Sequence, residues 1–183
     1  MSIKKEIPNI LTLGNLLAGC LGLYFVMQSK LEYAAYMIFI SLVCDFLDGF
    51  LARLLHAYSD IGKELDSLAD VVSFGILPSF ILLNLVEQSC GNQCTIGLFG
   101  FYKPFLVFSL ALMSAYRLAK FNVDTRQTDQ FIGVPTPANG LLVASLPLIL
   151  HFQPEYASYI LNFKGILIYG VLMSYLLVSE LPL

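Results

Sequence analysis

Four aspartates, Asp45, Asp48, Asp66 and Asp70, stand in fixed register within Asp45-x-x-Asp48-Gly49-x-x-Ala52-Arg53 and Gly62-x-x-x-Asp66-x-x-x-Asp70. Each lies in or beside strongly apolar sequence, where an ionised carboxylate is costly unless it holds a cation or handles a proton. Residues three or four apart share a helix face, so Asp45 with Asp48 and Asp66 with Asp70 form two projecting pairs. A short turn through Ser59-Asp60 is expected to bring all four carboxylates together at one end of two neighbouring helices. Clustered negative charges repel one another unless cations sit between them. Oxygen ligands with no His or Cys nearby suit a hard ion, Mg²⁺ or Mn²⁺ ahead of Ca²⁺. The expected site is a binuclear metal centre.

Gly49 and Ala52 fall on the aspartate face of the helix or next to it, and their lack of bulk lets a ligand lie against the backbone. Gly62 offers a similar approach near the start of the next helix. Arg53 adds a cation suited to a phosphate. Together these residues describe a diphosphate cradle. The competing arrangement, an ion network of the aspartates with Arg53 and Lys63, sets two cations against four carboxylates and leaves the excess charge uncompensated. Gly14, Gly19 and Gly22 lack any spacing to the aspartates and are expected to serve helix packing alone.

The elements that must position these residues are membrane helices. Hydrophobic residues make up 57% of the 183 positions and charged residues 13%, which excludes an ordinary soluble domain. Six apolar segments are expected as transmembrane helices: Ile10–Gln28, Tyr33–His56, Lys63–Val86, Pro104–Phe121, Val134–Leu150 and Gly165–Val178. The first is too long for a signal peptide and lacks a small-residue cleavage pattern, although Lys4 and Lys5 precede it. The fold class is therefore all-α, polytopic, in one integral-membrane domain over residues 1–183. Placing the N-terminus in the cytoplasm puts Lys4, Lys5, Arg53, Lys63, Arg117, Lys120 and Arg126 inside and leaves Lys30, Lys103 and Lys164 outside, as the positive-inside bias requires. Tyr24, Tyr33, Tyr36, Tyr102, Tyr156 and Tyr159 then gather at the outer interface. The aspartates face the cytoplasm.

The net charge of −3 and the lack of any basic run give nucleic-acid binding no support. Cys20 and Cys44 read as small apolar packing residues. Cys90 and Cys94, in the outer loop Ser89-Cys90-Gly91-Asn92-Gln93-Cys94, are expected either to close a short disulfide or to remain free thiols. The chain ends at Leu183 soon after an apolar helix with no polar tail, the pattern expected of a C-terminally truncated chain.

The register of Asp45, Asp48, Gly49, Ala52, Arg53, Gly62, Asp66 and Asp70 resembles, without departure, the signature of the CDP-alcohol phosphotransferase family of membrane enzymes. That resemblance implies a six-helix core and transfer of a substituted phosphate from a CDP-linked donor to an alcohol. It implies that Asp45, Asp48 and Asp66 ligate two divalent cations bridging the CDP diphosphate. Asp70 would touch a metal and deprotonate the acceptor hydroxyl. Gly49, Ala52 and Gly62 would make room for cytidine and phosphate, with Arg53 supporting them, and a homodimer is implied.

Four further stretches resemble the serine-accepting branch of that family, which moves a phosphatidyl group from CDP-diacylglycerol to L-serine. They are Pro8-Asn9-x-x-Thr12-x-x-Asn15, Asp66-Ser67-Leu68-Ala69-Asp70-Val71-Val72-Ser73-Phe74-Gly75, Tyr116-Arg117-Leu118-Ala119-Lys120-Phe121-Asn122 and Gly133-Val134-Pro135-Thr136-Pro137-Ala138. Glycerophosphate-accepting relatives usually carry Pro and Lys where this chain has Ser67 and Val71. Arg117, Lys120 and Asn122 are expected at the metal-site level of the fourth helix, a guanidinium suiting the acceptor's carboxylate and an amide oxygen its ammonium. Thr12 and Asn15 are expected to reach the donor phosphates. A phosphorylated acceptor, glycerol 3-phosphate or inositol phosphate, would need more cations than Arg117, Lys120 and Arg126. A cation transporter would place its charges near the midplane and often show two related halves, whereas these acids lie toward one face of one half.

Overall fold

The structure, a computed structural model, describes residues 3–90, 103–123 and 133–179. These residues contain helices and no strand. The helices are α1 (Ile3–Met27), α2 (Leu31–Leu54), α3 (Asp60–Asp70), a π-helical turn (Val71–Ile76), α4 (Leu77–Cys90), a 3₁₀ segment (Lys103–Phe108), α5 (Ser109–Val123), α6 (Thr136–Phe152), a 3₁₀ turn (Pro154–Tyr156), α7 (Ala157–Ile160) and α8 (Phe163–Val178).

Four of these runs are long and apolar enough to cross a membrane: Glu6–Met27, Leu31–Leu54, Asp60–Cys90 and Pro104–Val123. Thr136–Phe152 is apolar but has only 17 residues, and Pro154–Ile160 meets Phe163–Val178 at a 68° bend. The six expected segments thus correspond to helical runs, with four to five of them, rather than six, meeting the length and composition of a span. The first begins at Ile3 rather than Ile10, with Pro8 inside the helix, where it removes the N–H that would bond the Lys4 carbonyl.

The turns explain how the polar ends are shaped. Between α1 and α2, Ser29 takes a left-handed conformation (φ 56°) while Lys30 N–H closes back on the Phe25 carbonyl at 2.9 Å. After α2 the same device recurs at His56 (φ 50°), with Ala57 N–H on the Ala52 carbonyl at 2.9 Å. Ser59 then caps α3, its hydroxyl accepting from Gly62 N–H at 3.0 Å. This tight reversal keeps Asp45 and Asp48 next to Asp66.

The core forms around the third run. Phe74, Leu77, Ile81, Leu82 and Leu85 are fully buried, packed with Ile38 of α2, Leu110 of α5, Val143 of α6 and Leu177 of α8. Lipid-facing residues such as Ile10, Leu17, Phe46, Leu112 and Ile168 are exposed, as a bilayer solvent allows. Tyr24, Tyr33, Tyr36, Tyr156 and Tyr159 are exposed, and Tyr102 lies outside the described residues. So do Cys94 and Arg126. Cys90 is disulfide-bonded, and Cys20 and Cys44 are free thiols.

Gly19 and Gly22 act in packing as expected: a Cβ at Gly19 would lie 2.7 Å from Ser73 Oγ and 3.2 Å from its Cα, and one at Gly22 would overlap Leu77. A Cβ at Gly49 meets nothing within 4 Å. Gly19→Val should therefore destabilise the bundle by about 1–3 kcal/mol, the range for overpacking, and lower the melting temperature in detergent. Gly49→Ala should leave it unchanged.

Candidate metal and transfer site

The carboxylates of Asp45, Asp48 and Asp66 come together at the end of the bundle formed by the α2–α3 reversal. One oxygen from each lies within 4.8 Å of the others. Asp45 and Asp48 sit one turn apart near the end of α2, and Asp66 faces them from α3. Their cost in this apolar setting is not met by the nearby cations, which are engaged with backbone carbonyls. Arg53 Nε donates to the Gly49 carbonyl at 3.0 Å, and Lys63 Nζ donates to the Asn122 carbonyl at 2.8 Å. Asp66 Oδ1 is buried without a hydrogen-bond partner. An all-oxygen set of three converging carboxylates, one with an orphaned buried oxygen, fits a hard divalent cation.

A cavity of about 210 Å³ opens beside these carboxylates, lined by Asp48, Asp66, Gly49, Ala52, Gly62 and Lys63, together with Asn9 and Thr12 of α1 and the Ala57-Tyr58-Ser59 turn. The three small residues of the motif all border it. Gly49 leaves open space where a side chain would stand, while a Cβ at Gly62 would sit 3.0 Å from both Asn9 Oδ1 and Ser59 Oγ. Arg53 does not line the cavity; its exposed side chain braces its own helix at Gly49. Its tether is one turn back along α2, at a residue that lines the cavity.

Asp70 lies outside the group of three. It is buried one turn further along α3, where its Oδ1 accepts from Asn15 Nδ2 at 3.0 Å. All four carboxylates therefore occupy one end of the bundle, but only three share a ligand-sized space. Thr12 and Asn15, expected at the donor phosphates, each bond an aspartate, and Thr12 also lines the cavity. Thr12 Oγ1 donates to Asp48 Oδ2 at 2.6 Å and also lies 3.1 Å from the Pro8 carbonyl. Both residues share a face of α1, and both are buried.

The Asn15 carbonyl is itself held by two hydroxyls, Ser41 Oγ at 3.2 Å and Ser73 Oγ at 3.1 Å. Sequence reasoning missed both serines. Ser41 lies one turn before Asp45 and Ser73 three residues after Asp70, so helical periodicity from the aspartates was the available signal.

Arg117, expected to meet the acceptor, is half-buried on α5 and its Nε has no partner. Lys120 follows three residues later, also half-buried. Asn122 is placed differently from the expectation: its amide donates to Ser67 Oγ at 2.9 Å and reaches Glu64 Oε2 at 3.5 Å. With its carbonyl holding Lys63, Asn122 clasps α3 to α5 rather than presenting itself to a substrate.

Comparison with known proteins agrees with this geometry. The family model for CDP-alcohol phosphatidyltransferase matches residues 5–177. The chain is similar to the CDP-diacylglycerol–serine O-phosphatidyltransferase of Bacillus subtilis, 32% identical over 166 residues, covering 86% of this chain and 87% of the relative. The proteins of the same name from Helicobacter pylori (35% over 172 residues, 91% and 68% covered) and Methanocaldococcus jannaschii (32% over 174 residues, 94% and 73% covered) are similar across comparable lengths. An apolar helical bundle, three converging carboxylates beside a small-residue cavity and a match over nearly the whole chain place this protein in the CDP-alcohol phosphatidyltransferase family.

Proposed function

We propose that this chain transfers a phosphatidyl group from CDP-diacylglycerol to the hydroxyl of L-serine, giving phosphatidylserine and CMP. The observation that carries the reading is the convergence of Asp45, Asp48 and Asp66 beside a cavity opened by Gly49, with Asp70 buried one turn deeper. The serine-transferring relatives named above supply the choice of acceptor. Against a cation transporter stands the one-ended placement of the acids next to a cradle that a permeating ion does not need.

In this reading Asp45, Asp48 and Asp66 would hold two divalent cations, Mg²⁺ or Mn²⁺ ahead of Ca²⁺, with the Asp70 carboxylate one turn deeper. When bound, such ions neutralise phosphate oxygens and stabilise the departing CMP. Thr12 fixes the Asp48 carboxylate. Gly49, Ala52 and Gly62 leave room for the donor's nucleotide and diphosphate, and the acyl chains lie outside in lipid. Asn15 holds one oxygen of Asp70, so the carboxylate is aimed when the serine hydroxyl arrives. Asp70 takes the hydroxyl proton; the serine oxygen forms its bond to phosphorus; the bond from phosphorus to CMP breaks, and its electron pair leaves with CMP. Arg117 draws in the serine carboxylate, assisted by Lys120, while Asn122 keeps α3 and α5 in register.

The whole chain acts as one catalytic domain with six spans in the cell's inner membrane, its active site facing the cytoplasm, and it works as a homodimer. At 17 residues α6 is at the lower limit of a span, and α7 with α8 supplies the last one across its bend.

Three outcomes test the assignment in purified protein supplied with CDP-diacylglycerol and serine, following CMP release. Excess chelator should stop the reaction, and Asp66→Asn should abolish it while weakening Mn²⁺ binding; undiminished turnover in chelator would sink the metal site. Asp70→Asn should keep donor binding yet lose a hundredfold or more in turnover, the scale for removing a general base. Arg117→Ala should raise the serine KM far more than the donor KM, and a change confined to the donor would remove Arg117 from the acceptor end.

A further inference from the structure

A second set of unpartnered polar atoms lies on the far side of Asp70 from the cavity. Thr136, at the start of α6, is 1% exposed, and its Oγ1 has no hydrogen-bond partner. A threonine at a helix start ordinarily serves as a cap, but here the cap position belongs to Pro135 and no side-chain cap bond is made. An unmet hydroxyl in a dry helical bundle needs another explanation.

Helix register supplies one. Two contacts fix α5 antiparallel to the third run: a Cβ on Gly75 would lie 3.1 Å from Ser114 Cβ, and Asn122 bonds Ser67 at 2.9 Å. Arg117 lies between them along α5, facing the level of Val71 and Val72, next to Asp70. On α6, a Cβ at Gly140 would meet Phe74 Cδ1 at 3.0 Å. Gly140 is four residues from Thr136, and Phe74 is four residues from Asp70. Residues four apart share a face and lie about 6 Å apart along the axis. Val134 N–H bonds the Leu176 carbonyl at 3.3 Å near the end of α8. Helix α8 runs in the same direction as α5, with Gly170 beside Val107 and Ser174 beside Ser109. Helix α6 therefore starts at the Asn122 end and runs parallel to the third run, which sets Thr136 near the level of Asp70. Arg117 is three residues from Ser114 and shares the face of α5 that meets the π-helical turn.

We propose that the Thr136 hydroxyl and the Arg117 guanidinium form an acceptor subsite beside Asp70, both donating to the carboxylate of the incoming amino acid. This rests on the serine-transfer reading and adds to it a residue from α6. The arrangement is chemically complementary: a charge-assisted donor and a neutral donor hold the carboxylate, while the hydroxyl to be phosphorylated points at Asp70. Lying where α5 and α6 meet the π-helical turn, the subsite is separate from the donor cavity between α1, α2 and α3.

The test uses the full chain in detergent with CDP-diacylglycerol and Mn²⁺. Thr136→Val should raise the serine KM about tenfold or more, the scale for losing a hydrogen bond to a charged group, and leave the donor KM within twofold. Thr136→Ser should restore a serine KM near that of the unaltered protein. With ethanolamine, an acceptor lacking the carboxylate, Thr136→Val and unaltered protein should turn over alike. An unchanged serine KM in Thr136→Val, or an equal loss for donor and acceptor, would overturn the subsite. If Thr136→Val does not fold, a Thr136→Ala variant of normal melting temperature must show the same KM split, and its absence overturns the proposal equally. Failure of the unaltered protein to release CMP with serine, while releasing it with another alcohol, would instead overturn the serine reading itself.

Discussion

The Asn15 side chain and carbonyl tie three helical elements to one carboxylate. Its amide donates to Asp70, and its carbonyl accepts from Ser41 on α2 and Ser73 on the π-helical turn. In lipid no water relaxes such a junction, and each polar group finds a protein partner or goes without. The Asp70 carboxylate is thus oriented by the packing of the bundle rather than by a mobile side chain. Gly19 belongs to the same junction. It lies one turn after Asn15, and a side chain there would occupy the place of the Ser73 hydroxyl. A glycine that reads as mere packing is what lets α1 come near enough for Asn15 to reach Asp70.

The π-helical turn gives the third run its reach. Leu77 N–H donates to the Val72 carbonyl, five residues back, so the turn is wider than an α-helical one. Three successive residues on it then meet three neighbours: Ser73 bonds Asn15 of α1, Phe74 packs on Gly140 of α6, and Gly75 lies against Ser114 of α5. Asp70 immediately precedes this hub. Asp70 thus stands within one turn of the residues packed against α5 and α6.

What the sequence reveals is set by how local each interaction is. The spacing of Asp45, Asp48, Asp66 and Asp70 is a helical period, so their shared face was legible, as were the apolar runs and the small residues at Gly49, Ala52 and Gly62. Pairings between distant segments were not. Nothing in Thr12 or Asn15 separates a phosphate contact from a carboxylate contact, since hydroxyl and amide donors serve both. Asn122 reads as an acceptor ligand from its place beside Arg117 and Lys120, and only the fold shows its amide on Ser67. The π turn has no composition signal at all: Val71-Val72-Ser73-Phe74-Gly75-Ile76 is an ordinary apolar run. The span count rests on apolarity, which marks a segment as buried without showing the 68° bend before α8.

The polar groups of this bundle fall into two sets, and the division explains how it can be both stable and reactive. Thr12 with Asp48, Asn15 with Asp70 and Asn122 with Ser67 are closed pairs that fasten helix to helix. Asp66 Oδ1, Arg117 Nε and Thr136 Oγ1 are open, each buried and without a partner, as are Asn15 Oδ1, Ser114 Oγ and Asn139 Nδ2. An unmet buried group costs about 1–3 kcal/mol, a burden that the closed pairs and the apolar core around Phe74 and Leu82 can carry. Asp66, Arg117 and Thr136 lie along the stretch of the bundle that runs from the carboxylate cluster past Asp70 to the start of α6. They are also of opposite character on its two sides, an anion on the side of the cavity and donors on the other. That polarity matches a reaction in which cation-bound diphosphate approaches from one side and a carboxylate-bearing alcohol from the other, with Asp70 between them.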